Sequence, residues 1–195
     1  MNGQIVQEIK EKALDRKIPI IMDDTLEVIG KVLKEKNPNS ILEIGTAVGY
    51  SAICFSNYLL EDGFIDTIER EKEKVEEARK NIESLKLENK INIIEGDAVE
   101  ILPALNKKYD VIFIDAAKGK YPFFLKEALR LLENEGIILA DNILYKGYVM
   151  GDYNKHKHRT AVRNLREYIK KIEENPILET EILDVGDGLS ISKKR

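Results

Sequence analysis

The chain has 195 residues, 43% hydrophobic and 34% charged, with 12 Gly and 5 Pro, which is one domain's length and excludes a disordered, fibrous or low-complexity protein. A chain this long buries roughly 70% of its unfolded surface, and its one cysteine, Cys54, can form neither an internal disulfide nor a zinc cluster. With 31 basic and 35 acidic side chains the net charge is −4, no apolar run approaches a membrane span, and residues 1–16 lack the apolar core of a signal peptide, so the expected compartment is the cytoplasm.

Residues 1–38 are expected to form a cap of two helices, ending near Asn37, Pro38 and Asn39. β-Branched runs then predict strands at 40–44, 64–69, 91–95, 111–115, 136–140, 178–184 and 189–193. Amphipathic helical patterns separate them at 50–60, 70–85, 99–105, 121–132 and 159–174. Stop signals fall at Asn106, Lys107 and Lys108 and again at 133–136. No repeat and no linker interrupts the series, so one domain over residues 1–195 is expected. Strands alternating with helices predict βαβ crossovers and a parallel sheet. Val185, Gly186, Asp187 and Gly188 join the last two strands as a hairpin, so an antiparallel edge is expected. The predicted class is α/β, Rossmann-like and doubly wound: a mostly parallel seven-stranded sheet with an antiparallel C-terminal hairpin strand and N-terminal helices.

Chemistry concentrates at the ends of these strands. Residues 42–51, LEIGTAVGYS, read as a buried strand, a glycine turn and a helix start, the place where open α/β sheets bind ligands. The sequence has neither a GxGxxG fingerprint nor a P-loop, which argues against a dinucleotide oxidoreductase. Glu43 stands inside an apolar strand, where an unpaired carboxylate is expensive, and Glu69 ends the next strand, where an acid can accept ribose hydroxyls. Their alternative duties are pairing with a lysine and capping the following helix. Asp97, Asp115, Asp141 and Asn142 follow the next three strands, and the last three of these offer hard oxygen ligands suited to Mg²⁺. Helix capping is again the alternative.

The segments LEIGTAVGYS, FIDAAKGKY (113–121) and LADN (139–142) resemble, in order and spacing, the cation-dependent O-methyltransferases, the family of catechol and caffeoyl-CoA O-methyltransferases. The resemblance runs from IPIIM (18–22) to VGDGLSI (185–191), and departs at Ala47, where many enzymes that use S-adenosylmethionine (SAM) keep a third glycine. It implies a SAM-dependent, cation-dependent enzyme. Glu43, Gly45, Ser51 and the backbone near Met22 would hold the methionine end of SAM, Glu69 the ribose, and Asp97 with Ala98 the adenine, with Asp115 bordering the cofactor. Asp115, Asp141 and Asn142 would hold Mg²⁺ or Mn²⁺, and Lys118 would be the general base. Tyr121 either shapes the pocket or belongs to the core. A homodimer is also implied. An inert SAM-binding scaffold is the non-enzymatic alternative, opposed by the presence of all four residues Asp115, Lys118, Asp141 and Asn142.

The acceptor is read from charge. Between Lys146 and Lys171 stand eight Lys/Arg and two acids, together with His156, His158 and the aromatics Tyr145, Tyr148 and Tyr153. Such a stretch suits a polyanion, with a tyrosine to stack on a base; the alternative is a solvated helix face. The histidines are expected to be loop residues, not metal ligands. The compact length and this basic stretch resemble the family's bacterial tRNA 5-hydroxyuridine branch, which makes 5-methoxyuridine at the wobble position. The favoured acceptor is therefore tRNA, with a small catechol or phenylpropanoid, or an acyl-CoA, as alternatives.

Overall fold

The computed structural model describes residues 2–151 and 156–195. Asp152, Tyr153 and Lys155, three of the residues read into the basic stretch, lie outside the described residues. The chain divides into two compact units, residues 1–101 and 102–195. Among the described residues no helix is long and apolar enough to cross a membrane.

The first unit contains α1 (Gly3–Asp15), α2 (Asp23–Lys36), β1 (Ser40–Ile44), α3 (Tyr50–Phe55), β2 (Phe64–Glu69), α4 (Lys72–Ser84), β3 (Ile91–Glu95) and α5 (Ala98–Ile101). Its strands lie in the order β3-β2-β1, all parallel. β1 is buried at every position, as expected of a parallel strand covered on both faces. Ile41, Leu42, Ile44, Ile53, Ile65, Val75 and Ala78 form its core.

Three elements of this unit are shorter than the sequence predicts. The helix expected over 50–60 leaves the α conformation after Phe55 for a 3₁₀ turn at Ser56–Tyr58, where Ser56 and Asn57 side chains bond the Ile53 and Cys54 carbonyls. Helix α4 starts at Lys72 rather than at residue 70, because the N–H groups of Arg70 and Glu71 both donate to the Glu69 carboxylate. The 99–105 pattern yields the single α turn of α5 and then a 3₁₀ turn at Leu102–Ala104, where Pro103 offers no N–H.

The second unit contains β4 (Tyr109–Ile114), α6 (Tyr121–Leu131), β5 (Leu132–Ala140), α7 (Arg159–Glu173), β6 (Leu178–Leu183) and β7 (Leu189–Lys194). Its strands run in the order β4-β5-β7-β6, with β4 and β5 parallel and β7 antiparallel to both of its neighbours. The hairpin is as predicted, but its antiparallel strand β7 is inserted between β5 and β6, so the strand at the edge is β6. The stop predicted at 133–136 appears as an irregularity inside β5: the β4–β5 register jumps between Tyr109/Leu132 and Val111/Ile137, and Glu135 takes a positive φ of 57°. α7 buries Val162, Leu165, Tyr168 and Ile172, one stripe at helical spacing. The architecture is thus α/β with mostly parallel strands and an antiparallel C-terminal hairpin.

The turn between β6 and β7 does more than reverse the chain. The Gly188 and Asp187 carbonyls accept from Ile143 N and Leu144 N, each at 3.0 Å, and the Asp187 carboxylate accepts from Lys146 N at 2.5 Å. Gly188 has φ +90°, and a Cβ there would collide with the Leu144 side chain and lie 2.9 Å from its backbone nitrogen. Gly188→Ala is therefore expected to destabilise the protein by about 2–4 kcal/mol, combining left-handed strain with overpacking. Urea denaturation checks this; a loss below about 1 kcal/mol contradicts the role given to this turn.

Candidate active site

In the first unit the site grows from the end of β1. Gly45, Ala47 and Gly49 all have positive φ, at 108°, 46° and 82°. Gly45 N and Thr46 N bond the Ile68 carbonyl at 3.1 and 3.2 Å, tying the turn to β2. A Cβ on Gly49 would stand 3.4 Å from Ala78 Cβ, so this glycine also serves close packing against α4. Ala47, where the family pattern often has glycine, takes a left-handed conformation that costs a non-glycine residue about 1–2 kcal/mol. Its N–H is held by Glu69 Oε2 at 2.9 Å.

Glu43 is fully buried, and its cost is met by hydroxyls. Ser51 Oγ donates to one carboxylate oxygen and Thr67 Oγ1 to the other at 2.5 Å, with Thr46 Oγ1 2.6 Å from Thr67 Oγ1. Glu43 and Thr67 are register partners on β1 and β2, so strand pairing brings them together. The sequence reading named Ser51 and missed Thr67; the signal available was a threonine inside an apolar strand.

Glu69 staples two parts of the site. Beside the Ala47 bond, its Oε1 accepts Arg70 N and Glu71 N, each at 3.0 Å. A carboxylate has about four acceptor positions, so capping and a free acceptor position coexist on one side chain. Asp97 behaves as the capping alternative describes: Oδ1 accepts Val99 N at 2.8 Å at the start of α5, and Oδ2 lies 3.7 Å from an Arg70 guanidinium nitrogen. Ala98 opens that helix. Met22 is the N-cap of α2, half-exposed, with its carbonyl taking Leu26 N at 2.8 Å.

In the second unit Ile114 and Ala140 are paired at the ends of β4 and β5, so Asp115 and Asp141 leave the sheet side by side. Asp141 N donates to the Ile114 carbonyl at 3.1 Å, and Asn142 N donates to Asp141 Oδ1 at 2.7 Å. Lys118, on a 3₁₀ turn at Lys118–Lys120, sets its ammonium 2.8 Å from Asp115 Oδ1. Asn142 has φ 56°, a conformation asparagine tolerates better than most residues. Asp141 is buried, and burial first and the Asp115 charge second push its carboxyl up to about 7, against the opposing pull of the Asn142 N–H and Lys118.

Among the described residues no group of three or more His, Cys, Asp or Glu is arranged as a metal site. Asp115, Asp141 and Asn142 form a different set, two carboxylates and a carboxamide. These are hard oxygen donors, and two adjacent carboxylates with Asp141 held proton-hungry by burial fit a divalent cation of the Mg²⁺ kind. A proton and such a cation would compete for Asp141. Cation affinity is expected to fall as pH drops below about 7, by up to about tenfold per unit. Mn²⁺ titrations at pH 8 and pH 6 check this; equal affinity at both contradicts Asp141 as a ligand.

The basic stretch is partly consumed by structure. Arg166 donates to the Tyr148, Val149 and Gly151 carbonyls, fastening the segment that follows the Asp141–Asn142 pair. Lys171 pairs with Glu167 at 2.7 Å and Lys170 lies 3.9 Å from Glu174. Lys146, Lys157, Arg159 and Arg163 are exposed. His158 stacks on Tyr148 and shares a 3.0 Å hydrogen bond through Nδ1 with the Tyr145 hydroxyl, while His156 is exposed.

The O-methyltransferase family model matches residues 2–195. The chain is 32% identical to a catechol O-methyltransferase of Niastella koreensis, over 86% of this chain and 77% of that protein. It is 30% identical to caffeoyl-CoA O-methyltransferase 2 of Populus trichocarpa, over 88% and 73%. A Staphylococcus aureus protein provisionally named a caffeoyl-CoA O-methyltransferase superposes with a TM-score of 0.90 at 35% identity, covering 97% of this chain and 92% of that one. A Podospora anserina methyltransferase bound to S-adenosylhomocysteine superposes at 0.86 with 25% identity, covering 98% and 88%. The strand-end chemistry, the Rossmann-like fold and the full-length match agree: the chain belongs to the O-methyltransferase family, enzymes of the SAM-using class.

Proposed function

We propose that this protein moves a methyl group from SAM to one of two adjacent oxygens on a catechol-type acceptor, as a single catalytic domain that uses Mg²⁺ or Mn²⁺. The observation that carries the reading is the pairing of buried Asp141 with Asp115 at neighbouring strand ends, with Lys118 bonded to Asp115. The names of its catechol and caffeoyl-CoA relatives support the acceptor class, and the relative bound to S-adenosylhomocysteine supports SAM.

SAM supplies an electrophilic methyl on a sulfonium. Glu43 would take the methionine ammonium, Gly45 leaves room for the ligand against the backbone, and Ser51 is oriented by its bond to Glu43. Glu69 has capacity for a ribose hydroxyl, with Asp97 and Ala98 at the adenine edge and the Met22 backbone near the methionine end. A divalent cation bound to Asp115, Asp141 and Asn142 would lower the pKa of a coordinated hydroxyl. Lys118 would accept the hydroxyl proton as the neutral amine, having first passed its own proton to solvent, and the ammonium restored in that step would lie 2.8 Å from Asp115. A cation held by Asp115, Asp141 and Asn142 would offer both adjacent acceptor oxygens a ligand position and so would orient the nucleophile; positioning is most of what methyl transfer requires.

A second reading, 5-hydroxyuridine in tRNA, is favoured by the exposed Lys146, Lys157, Arg159 and Arg163 beside the Tyr145–Tyr148–His158 ring cluster. A hydroxyl beside a carbonyl chelates as a catechol does. The deciding experiment incubates the protein with labelled SAM and Mg²⁺ and, separately, catechol, caffeoyl-CoA and 5-hydroxyuridine tRNA, with products read by mass spectrometry. Methylated catechol or caffeoyl ester supports the first reading. 5-Methoxyuridine alone overturns it in favour of the second. In that case changing Lys157, Arg159 and Arg163 to alanine lowers tRNA affinity and its salt dependence.

A further inference from the structure

The Tyr121 hydroxyl sits where β4 and β5 end. It is fully buried, at the first position of α6, and donates to the Asp141 carbonyl at 2.7 Å while lying 3.2 Å from the Ile114 carbonyl. Ile114 precedes Asp115, and its carbonyl also takes Asp141 N at 3.1 Å. One phenol therefore touches the backbone on both sides of the carboxylate pair.

The ring is held as firmly as the hydroxyl. Tyr168 of α7 packs edge-on at 5.4 Å and is itself 3.0 Å from Ser190 Oγ on β7. The Lys118 ammonium lies 5.6 Å from the centre of the Tyr121 ring, within cation–π range. A core tyrosine needs only some partner for its hydroxyl. This one is bonded to the two strand ends that carry the ligand pair, and its face receives the lysine that bonds Asp115.

We propose that Tyr121 is a positioning residue for the cation and for Lys118: its hydroxyl fixes the spacing of Asp115 and Asp141, and its ring fixes the lysine. This rests on the reading of Asp115, Asp141 and Asn142 as cation ligands. Groups that orient ligands from behind typically change metal affinity by about 10–100-fold when removed.

The test compares Tyr121→Phe, which keeps the ring and loses the hydroxyl, with Tyr168→Phe, which loses a buried hydroxyl elsewhere in the same cluster. Mn²⁺ affinity is read by electron paramagnetic resonance, SAM affinity by calorimetry, and folding by thermal unfolding in EDTA. The expected result for Tyr121→Phe is Mn²⁺ binding at least about tenfold weaker, unchanged SAM affinity, and a higher KM for the cation. Tyr168→Phe is expected to melt lower with its Mn²⁺ affinity intact. If both variants lose Mn²⁺ affinity equally, or Tyr121→Phe loses none, Tyr121 is only a core residue. If the unaltered protein binds no Mn²⁺ at pH 8, the cation reading itself falls and takes this proposal with it. Unaltered SAM affinity in Tyr121→Phe establishes that the variant is folded. If Tyr121→Phe does not fold even in EDTA, the hydroxyl is required by the core itself and the positioning role is overturned.

Discussion

Asp141→Asn lowers methyl transfer by at least about a hundredfold, leaves SAM affinity unchanged, and raises the melting temperature of the cation-free protein at pH 8. The first effect follows from the proposed reading of Asp115 and Asp141 as the two anionic cation ligands, one of which the variant removes. The third follows from the titration of this carboxyl. Its value is about 7 in the folded protein against 3.8 for the ordinary group. Between those values the folded chain keeps a proton that the unfolded chain has released, so stability falls as pH rises through that window and the full penalty stands above it. Asparagine keeps the shape and the Oδ1 that accepts Asn142 N, and removes the buried charge.

A gain of about 1–2 kcal/mol in EDTA corresponds to roughly 2–8 °C for a chain of this size. The gain disappears below pH 4, where both states are protonated. With saturating Mg²⁺ the order reverses, because the unaltered protein gains binding energy that the variant lacks. Scanning calorimetry at pH 8 with EDTA and with Mg²⁺ reads both arms. A variant that melts lower than its parent in EDTA contradicts the account of Asp141 as a carboxylate strained for a cation.

Glu43→Ala is expected to cost about 3–5 kcal/mol of folding stability and to abolish SAM binding. The side chain stands one residue before the end of β1, fully buried, and is the acceptor for Ser51 and Thr67. Truncation strands those hydroxyls at about 1–3 kcal/mol each and leaves a cavity between two parallel strands. Thr67 recovers part of this through Thr46, 2.6 Å away, which is why the total is not larger. Glu43→Gln fills the same space but turns one acceptor into a donor, and is expected to cost about 1–2 kcal/mol. Against a typical total of about 5–15 kcal/mol the alanine variant is marginal at 37 °C. Urea denaturation of both variants checks the ordering; an alanine variant within 1 kcal/mol of its parent contradicts it.

Much of the fold was legible because parallel strands leave long apolar runs. Ser40–Ile44, Phe64–Glu69 and Ile91–Glu95 stand as read from the sequence. The errors share a cause: a side chain or an irregular backbone overrode local propensity. Glu69 delayed α4 by binding the N–H groups that would have started it. The left-handed Glu135 allowed β5 to continue through a stretch whose composition reads as a turn. The position of β7 between β5 and β6 depends on pairing partners distant in sequence, which hairpin chemistry does not specify.

The site shows the same division. That Glu43 must be paired followed from its apolar strand; that its partner is Thr67 required the register Glu43↔Thr67. Asp115, Asp141 and Asn142 were visible as strand-end residues, whereas the tie from Tyr121 to two carbonyls was not, since backbone acceptors carry no sequence signature. Arg166 was counted among cations open to a partner, and the structure gives it three carbonyls instead.

The most direct test of the account is the initial rate of methyl transfer from labelled SAM to catechol, measured with Mg²⁺, with EDTA, and after Mg²⁺ is restored. A loss of at least about a hundredfold in EDTA, recovered on adding Mg²⁺, with Asp141→Asn at the low rate under all three conditions, is the predicted result. A rate that EDTA leaves unchanged contradicts it.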